Sequence, residues 1–127
     1  MMKKKIYFGA LIALMLFALG ACKKQQDLPV KPVPSTVFTA VLQDNPPFTS
    51  AKTVTNINIV AGTNGWYLTQ VPANTWCVPQ KQFGAGDFSL GLTINANTTG
   101  ADRTTQITLT STNKNLPPVT LNVTQSK

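Results

Sequence analysis

Two different hydrophobic patterns divide the chain. Ile6 to Phe17 is a nearly unbroken apolar run, whereas from Thr36 onward apolar and polar residues alternate in short stretches between turn-forming clusters. The alternation is clearest in three places. Phe88, Leu90, Leu92 and Ile94 point one way while Ser89, Gly91, Thr93 and Asn95 point the other. Thr105, Ile107 and Leu109 repeat the pattern, as do Val119, Leu121 and Val123 against Thr120, Asn122 and Thr124. A period of two with one apolar face predicts antiparallel strands packed on one side and wet on the other. No stretch places apolar residues at helical spacing.

The strands predicted are Val37–Gln43, Thr53–Ala61, Trp66–Val71, Trp76–Pro79, Phe88–Asn95, Thr104–Ser111 and Val119–Gln125. Between them lie Asn45-Pro46-Pro47, Gly62-Thr63-Asn64-Gly65, Gly84-Ala85-Gly86-Asp87, Thr99-Gly100-Ala101-Asp102 and Asn113 to Pro118. These are turn residues at strand-length intervals. About seven short strands in roughly 90 residues predict an all-β fold, an immunoglobulin-like antiparallel β-sandwich in one domain, residues 36–127.

The apolar run at the start has another meaning. Lys3, Lys4 and Lys5 precede it, and Leu19-Gly20-Ala21-Cys22 closes it with small residues. Ile6 to Ala21 is too short for the roughly 20 residues of a membrane-spanning helix. The layout is that of a bacterial lipoprotein signal over residues 1–21, with Cys22 receiving lipid and opening the mature chain. Lys23 to Ser35 follows as KKQQDLPVKPVPS. Its prolines oppose helix and ladder pairing, so residues 22–35 read as an extended tether reaching up to roughly 40 Å. The expected address is the cell envelope, lipid-anchored, in the outer membrane of a Gram-negative bacterium.

Charge changes the picture little. Loss of residues 1–21 takes away Lys3, Lys4 and Lys5 and lowers the net charge from +7 to +4. The remaining cations are scattered, which is not the clustered footprint of a nucleic-acid binder. Lys23 and Lys24, beside the lipidated cysteine, suit membrane phosphates. With Cys22 lipidated, Cys77 has no partner within the chain for a disulfide, and it reads as a small, partly buried hydrophobe.

The chain contains no histidine and no glutamate. Acid–base catalysis would fall to Asp44, Asp87 and Asp102, which sit in separate turns and read better as turn caps. No cofactor is expected, and a transition-metal site lacks its usual ligands. Calcium at Asp87 or Asp102 has no further motif behind it. Arg103 reads as a strand-opening residue paired with Asp102 or Asp87, the alternative being a grip on an anionic sugar. Asn97-Thr98-Thr99 and Asn122-Val123-Thr124 match the N-glycosylation pattern, which Asn- and Thr-rich strands produce by chance.

The C-terminal part carries a further pattern. It contains Asn64-Gly65-Trp66, then Thr75-Trp76-Cys77-Val78-Pro79, the Gly84-Ala85-Gly86 turn, and Leu92-Thr93-Ile94-Asn95-Ala96-Asn97. Arg103 then opens Arg103-Thr104-Thr105-Gln106-Ile107-Thr108-Leu109, and the chain closes on Val119-Thr120-Leu121-Asn122-Val123-Thr124-Gln125. Over residues 54–127 this resembles the BACON domain (Bacteroidetes-associated carbohydrate-binding, often N-terminal). Where that family shows Trp-Leu-Thr-Val, this chain has Trp76-Cys77-Val78-Pro79, and its glycine turn is displaced. The resemblance implies a β-sandwich in a bacterial glycan-handling setting.

Aromatic rings are the remaining resource for recognition, because sugar C–H faces stack on them while amides bond the hydroxyls. Trp66 and Trp76 are expected in the core. With Trp66 inward, its neighbour Tyr67 faces outward. Tyr67, Phe83, Gln70, Gln80 and Gln82 form the candidate glycan-facing patch. Two readings follow: a tethered module that binds polysaccharide, or a non-catalytic accessory lipoprotein that packs against another envelope protein.

Overall fold

The computed structural model describes residues 29–127, so the expected signal, Cys22 and the tether as far as Leu28 lie outside the described residues. Eight strands form: β1 (Thr39–Leu42), β2 (Thr53–Val60), β3 (Gly65–Gln70), β4 (Cys77–Pro79), β5 (Phe83–Ala85), β6 (Phe88–Ile94), β7 (Arg103–Ser111) and β8 (Val119–Gln125). They make two four-stranded sheets, β1-β2-β6-β4 and β5-β3-β7-β8, in which every strand pairing is antiparallel. The described residues are all-β, and the two sheets pack as a sandwich.

The alternation of the sequence sets the core. Ile57, Ile59, Leu90, Leu92 and Ile94 enter from the first sheet; Trp66, Ile107, Leu109 and Val123 enter from the second. Trp66 is 1% exposed and its ring lies 5.7 Å from that of Phe88, tilted by 34°. Trp76 is only half-buried, and it precedes β4 rather than lying in a strand.

The eighth strand adds to the seven read from the sequence. Phe83–Ala85, read from its glycines as part of a loop and turn, pairs with Gly65–Tyr67 along the sheet edge. The chain leaves β4 in one sheet and crosses at Gln80–Gln82 to join the other. Gly84 is needed there because a Cβ would press on the Trp66 indole, 2.8 Å from Cε2. The turn itself falls at Gly86, whose φ of 70° is readily adopted only by glycine.

Val33, Pro34 and Ser35, the end of the predicted tether, are held against the sandwich. Thr63 Oγ1 donates to Val33 O at 2.6 Å, and Ser35 N donates to Asn64 Oδ1 at 3.2 Å. Asn64 Nδ2 and Asn113 Nδ2 both donate to Ser35 O, at 2.8 and 3.0 Å. The chain therefore enters the domain between the β2–β3 and β7–β8 loops.

Candidate functional site

Strand phase determines what the β5-β3-β7-β8 sheet shows to solvent. Trp66 points inward, so Tyr67 points outward, 42% exposed. Phe83 is its direct partner on β5 and is 73% exposed. Residues opposite one another on paired strands share a face, so both rings project from the same side of the sheet. Alternation turns Tyr67 outward; Phe83, outside the strands predicted from the sequence, joins it through β5.

Gln70 joins this face after a register shift between Leu68 and Gln70, lying opposite Thr108 with its Oε1 3.4 Å from Thr108 Oγ1. Gln80 does not join it. Its backbone N–H donates to Gly91 O at 2.8 Å and its Oε1 accepts from Gly91 N at 3.4 Å, which ties it to the other sheet. The Gln82 carbonyl accepts from Leu68 N at 2.8 Å, and Gln82 lies one residue before β5 with its side chain exposed.

Beyond the two rings, the outward positions of β7 and β8 form paired polar rows that sequence reasoning missed. Gln106 Nε2 donates to Asn122 Oδ1 at 2.9 Å, and the Thr108 and Thr120 hydroxyls lie 3.0 Å apart. The Thr104 and Thr124 hydroxyls are 3.2 Å apart, and Thr69 and Thr110 are 3.0 Å apart at the β3 side. The alternation marked these residues as solvent-facing; the cross-strand register was needed to pair them.

The charged groups are used elsewhere. Arg103 pairs with neither aspartate as expected: its Nε donates to Gln125 Oε1 at 2.9 Å, and its Nη2 donates to Asn95 O at 2.8 Å and Ala96 O at 3.1 Å. Its guanidinium also lies 4.4 Å from the centre of the Trp76 ring. Asp87 accepts the N–H groups of Ala61 and Gly62, both at 2.9 Å. The Gly62 and Ala61 amides hold its carboxyl below the usual range. Asp44 accepts from Thr55 Oγ1 at 2.7 Å, and Asp102 accepts from Lys127 N at 2.9 Å. Cys77 is 1% exposed, and burial pushes its thiol up to about 11, opposed by the Arg103 charge. Among the described residues no group of three His, Cys, Asp or Glu could hold a metal ion. Asn97 is 7% exposed and its Nδ2 donates to Ala101 O and Ser126 O, so that Asn-x-Thr match is a folded-in turn.

A shallow cavity of about 320 Å³ lies at the end where the tether enters, lined by Pro32, Pro34, Thr63, Asn64, Thr112 and neighbouring β7–β8 loop residues. It is separate from the paired rings.

No curated protein matches the chain. Among solved structures, the chain is similar to a Bacteroides ovatus GH5 xyloglucanase in complex with a XXXG heptasaccharide, at 26% identity and a TM-score of 0.54. That likeness covers 62% of this chain and 16% of the other, so the chain spans only a small part of that enzyme's length. The model of the BACON family, described as "Putative binding domain, N-terminal", matches residues 59–126. That match takes in β3 to β8 and both halves of the Arg103–Gln125 contact, and it covers more than half of the sequence: the chain belongs to the BACON family.

Proposed function

We propose that this protein is an exported, lipid-anchored module of the cell envelope that binds carbohydrate without transforming it. The observation that carries the binding part is the exposed Tyr67–Phe83 pair on an uncharged sheet face. Two exposed rings on one face offer stacking surface to sugar C–H faces, and Gln70 on the same face offers an amide to hydroxyls. Two comparisons support the reading: the family is described as a binding domain, and the similar solved structure belongs to a glycan-active enzyme. The engagement of Asp44, Asp87 and Asp102 as backbone and hydroxyl acceptors favours binding over catalysis.

The anchor rests on Leu19-Gly20-Ala21-Cys22 behind the lysine-led apolar run. The outer membrane is the proposed address. Mass spectrometry of the purified protein tests the anchor: acylated Cys22 at the mature N-terminus is expected, and Cys22→Ala abolishes lipid labelling. An unmodified Cys22 inside a soluble mature chain would overturn it.

Binding through two rings and a few amides corresponds to micromolar to millimolar dissociation constants, about −4 to −8 kcal/mol. The test is affinity electrophoresis of the full-length protein in detergent against plant, host and bacterial polysaccharides, xyloglucan included. Tyr67→Ala is expected to abolish retardation with the fold intact, and Phe83→Ala to weaken it. Retardation that survives Tyr67→Ala would remove these rings from the site.

The second reading, an accessory lipoprotein packed against another envelope protein, draws support from the opposite sheet. There Val54, Thr93 and Val78 lie in register across β2, β6 and β4, and both valines are exposed. Binding of no glycan in the panel would favour that reading.

A further inference from the structure

We infer that the ligand of this face is an uncharged, extended polysaccharide, lying from the Tyr67–Phe83 pair along the polar rows of β7 and β8. This rests on the reading of Tyr67 and Phe83 as a glycan-binding pair and extends it to a substrate class and to new contact residues.

The first ground is charge. The outward positions of β3, β5, β7 and β8 carry only aromatic, amide, hydroxyl and small side chains. Arg103, the charged residue of β7, lies at an inward position with its guanidinium over Trp76. Lys81, next to β5, places its Nζ 3.7 Å from the centre of the Phe88 ring. A uronate or sulfated glycan would be partly desolvated against this face with no cation to meet it. A neutral chain meets no such penalty.

The second ground is the arrangement of the polar groups. The Gln106–Asn122, Thr108–Thr120 and Thr104–Thr124 pairs repeat down one pair of strands, each bridged by a hydrogen bond. Such bonds hold the rotamers in place, so less side-chain freedom is lost on binding. They do not exhaust the groups: a threonine pair keeps one O–H donor and several lone pairs, and the Gln106 and Asn122 amides keep further donors and acceptors. From Thr110 to Thr104 the strand runs six residues, about 20 Å, long enough for several pyranose rings in line. Threonine on a solvent-facing strand is also ordinary β-chemistry, so the Gln106–Asn122 pair is the discriminating one to alter.

The experiment compares neutral with anionic polymers, the two cellulose derivatives sharing one backbone. Full-length protein is run in native gels containing hydroxyethyl cellulose or galactomannan, both neutral, and carboxymethyl cellulose or polygalacturonate, both anionic. A neutral polymer is expected to bind at least tenfold more tightly than either anionic one. The double variant Gln106→Ala/Asn122→Ala is expected to weaken that binding about tenfold with an unchanged melting transition. Asn58→Ala/Ser89→Ala removes the equivalent bonded pair on the opposite sheet and is expected to leave binding unchanged.

Binding that needs Tyr67 yet ignores the Gln106/Asn122 change, or favours the anionic polymers, overturns this inference and leaves the ring-based reading standing. Binding lost on altering Asn58 and Ser89 moves the site to the other sheet and overturns both. Retardation by none of the four polymers also overturns the inference, and the wider panel then decides the ring-based reading.

Discussion

Arg103 and Gln125, direct partners at one end of the β7–β8 ladder, join through an Nε–Oε1 hydrogen bond of 2.9 Å inside the end of the sandwich. Gln125 is fully buried, and its Nε2 donates onward to Thr49 O at 2.9 Å and Asn95 O at 3.0 Å. Arg103 reaches Asn95 O and Ala96 O itself. The arginine, the Asn95–Ala96 carbonyls just past β6 and the last residue of β8 therefore meet in one node that ties β6, β7, β8 and the β1–β2 loop. These family features are explained by folding, with no ligand required.

Removing the node should be costly. Gln125→Ala leaves Thr49 O and the Arg103 Nε–H without their partner, so a loss of about 2–4 kcal/mol is expected in urea denaturation. Asn122→Ala, on the exposed side of the same strand, should stay within about 0.5 kcal/mol. Arg103→Lys should recover only part of an Arg103→Ala loss, because an ammonium cannot reproduce the fork that spans Gln125 and two carbonyls.

Strand phase in β6 makes a second expectation. Leu92 is fully buried, whereas Thr93 lies on the outer face between Val54 and Val78. Leu92→Ala should cost about 2–5 kcal/mol and Thr93→Ala well under that. Equal losses in parallel melts would contradict the burial assigned to the two positions.

The phases of β6, β7 and β8 were legible because each runs seven residues or more with a clean period of two. The strand β5 was not: three residues containing one glycine and followed by another carry turn chemistry and no periodicity. Its close pairing with β3 needs glycine at 84, because Trp66 fills the space a side chain there would take. The same limit applied to the site. Alternation turned Tyr67 outward, but only register could set Phe83 beside it and send Gln80 to the other sheet. Arg103 was read as an ion-pair partner for its nearest acids, whereas its acceptors come from the ends of β6 and β8, 7 to 22 residues away.

Gly84 gives a direct test of β5. Gly84→Ala should push β5 off the indole and cost about 1–3 kcal/mol, with a changed near-UV signal from Trp66. If polysaccharide binding depends on the Tyr67–Phe83 pair, it should weaken in the same variant. Ala85→Gly, one position along, lacks the clash and serves as the comparison for stability.

Cys77 supplies a pH expectation with a definite sign. Its thiol is held up to about 11 in the folded protein, chiefly by burial and against the pull of Arg103, while an unfolded chain releases the proton near 9.0. Below pH 9 both states keep the proton, and the full contribution to stability is present. Between pH 9 and 11 the unfolded chain ionises first, so stability falls as pH rises through that window, by roughly 2–3 kcal/mol at its upper end. Cys77→Ala should remove this component, and the difference between the two proteins isolates it from lysine titration. The buried thiol should also resist a maleimide at neutral pH in the native state and react once the chain is unfolded in urea. Native-state labelling as fast as that of an unfolded control, or parallel stability curves for the two proteins between pH 9 and 11, would show that the thiol is not enclosed between β4 and the core.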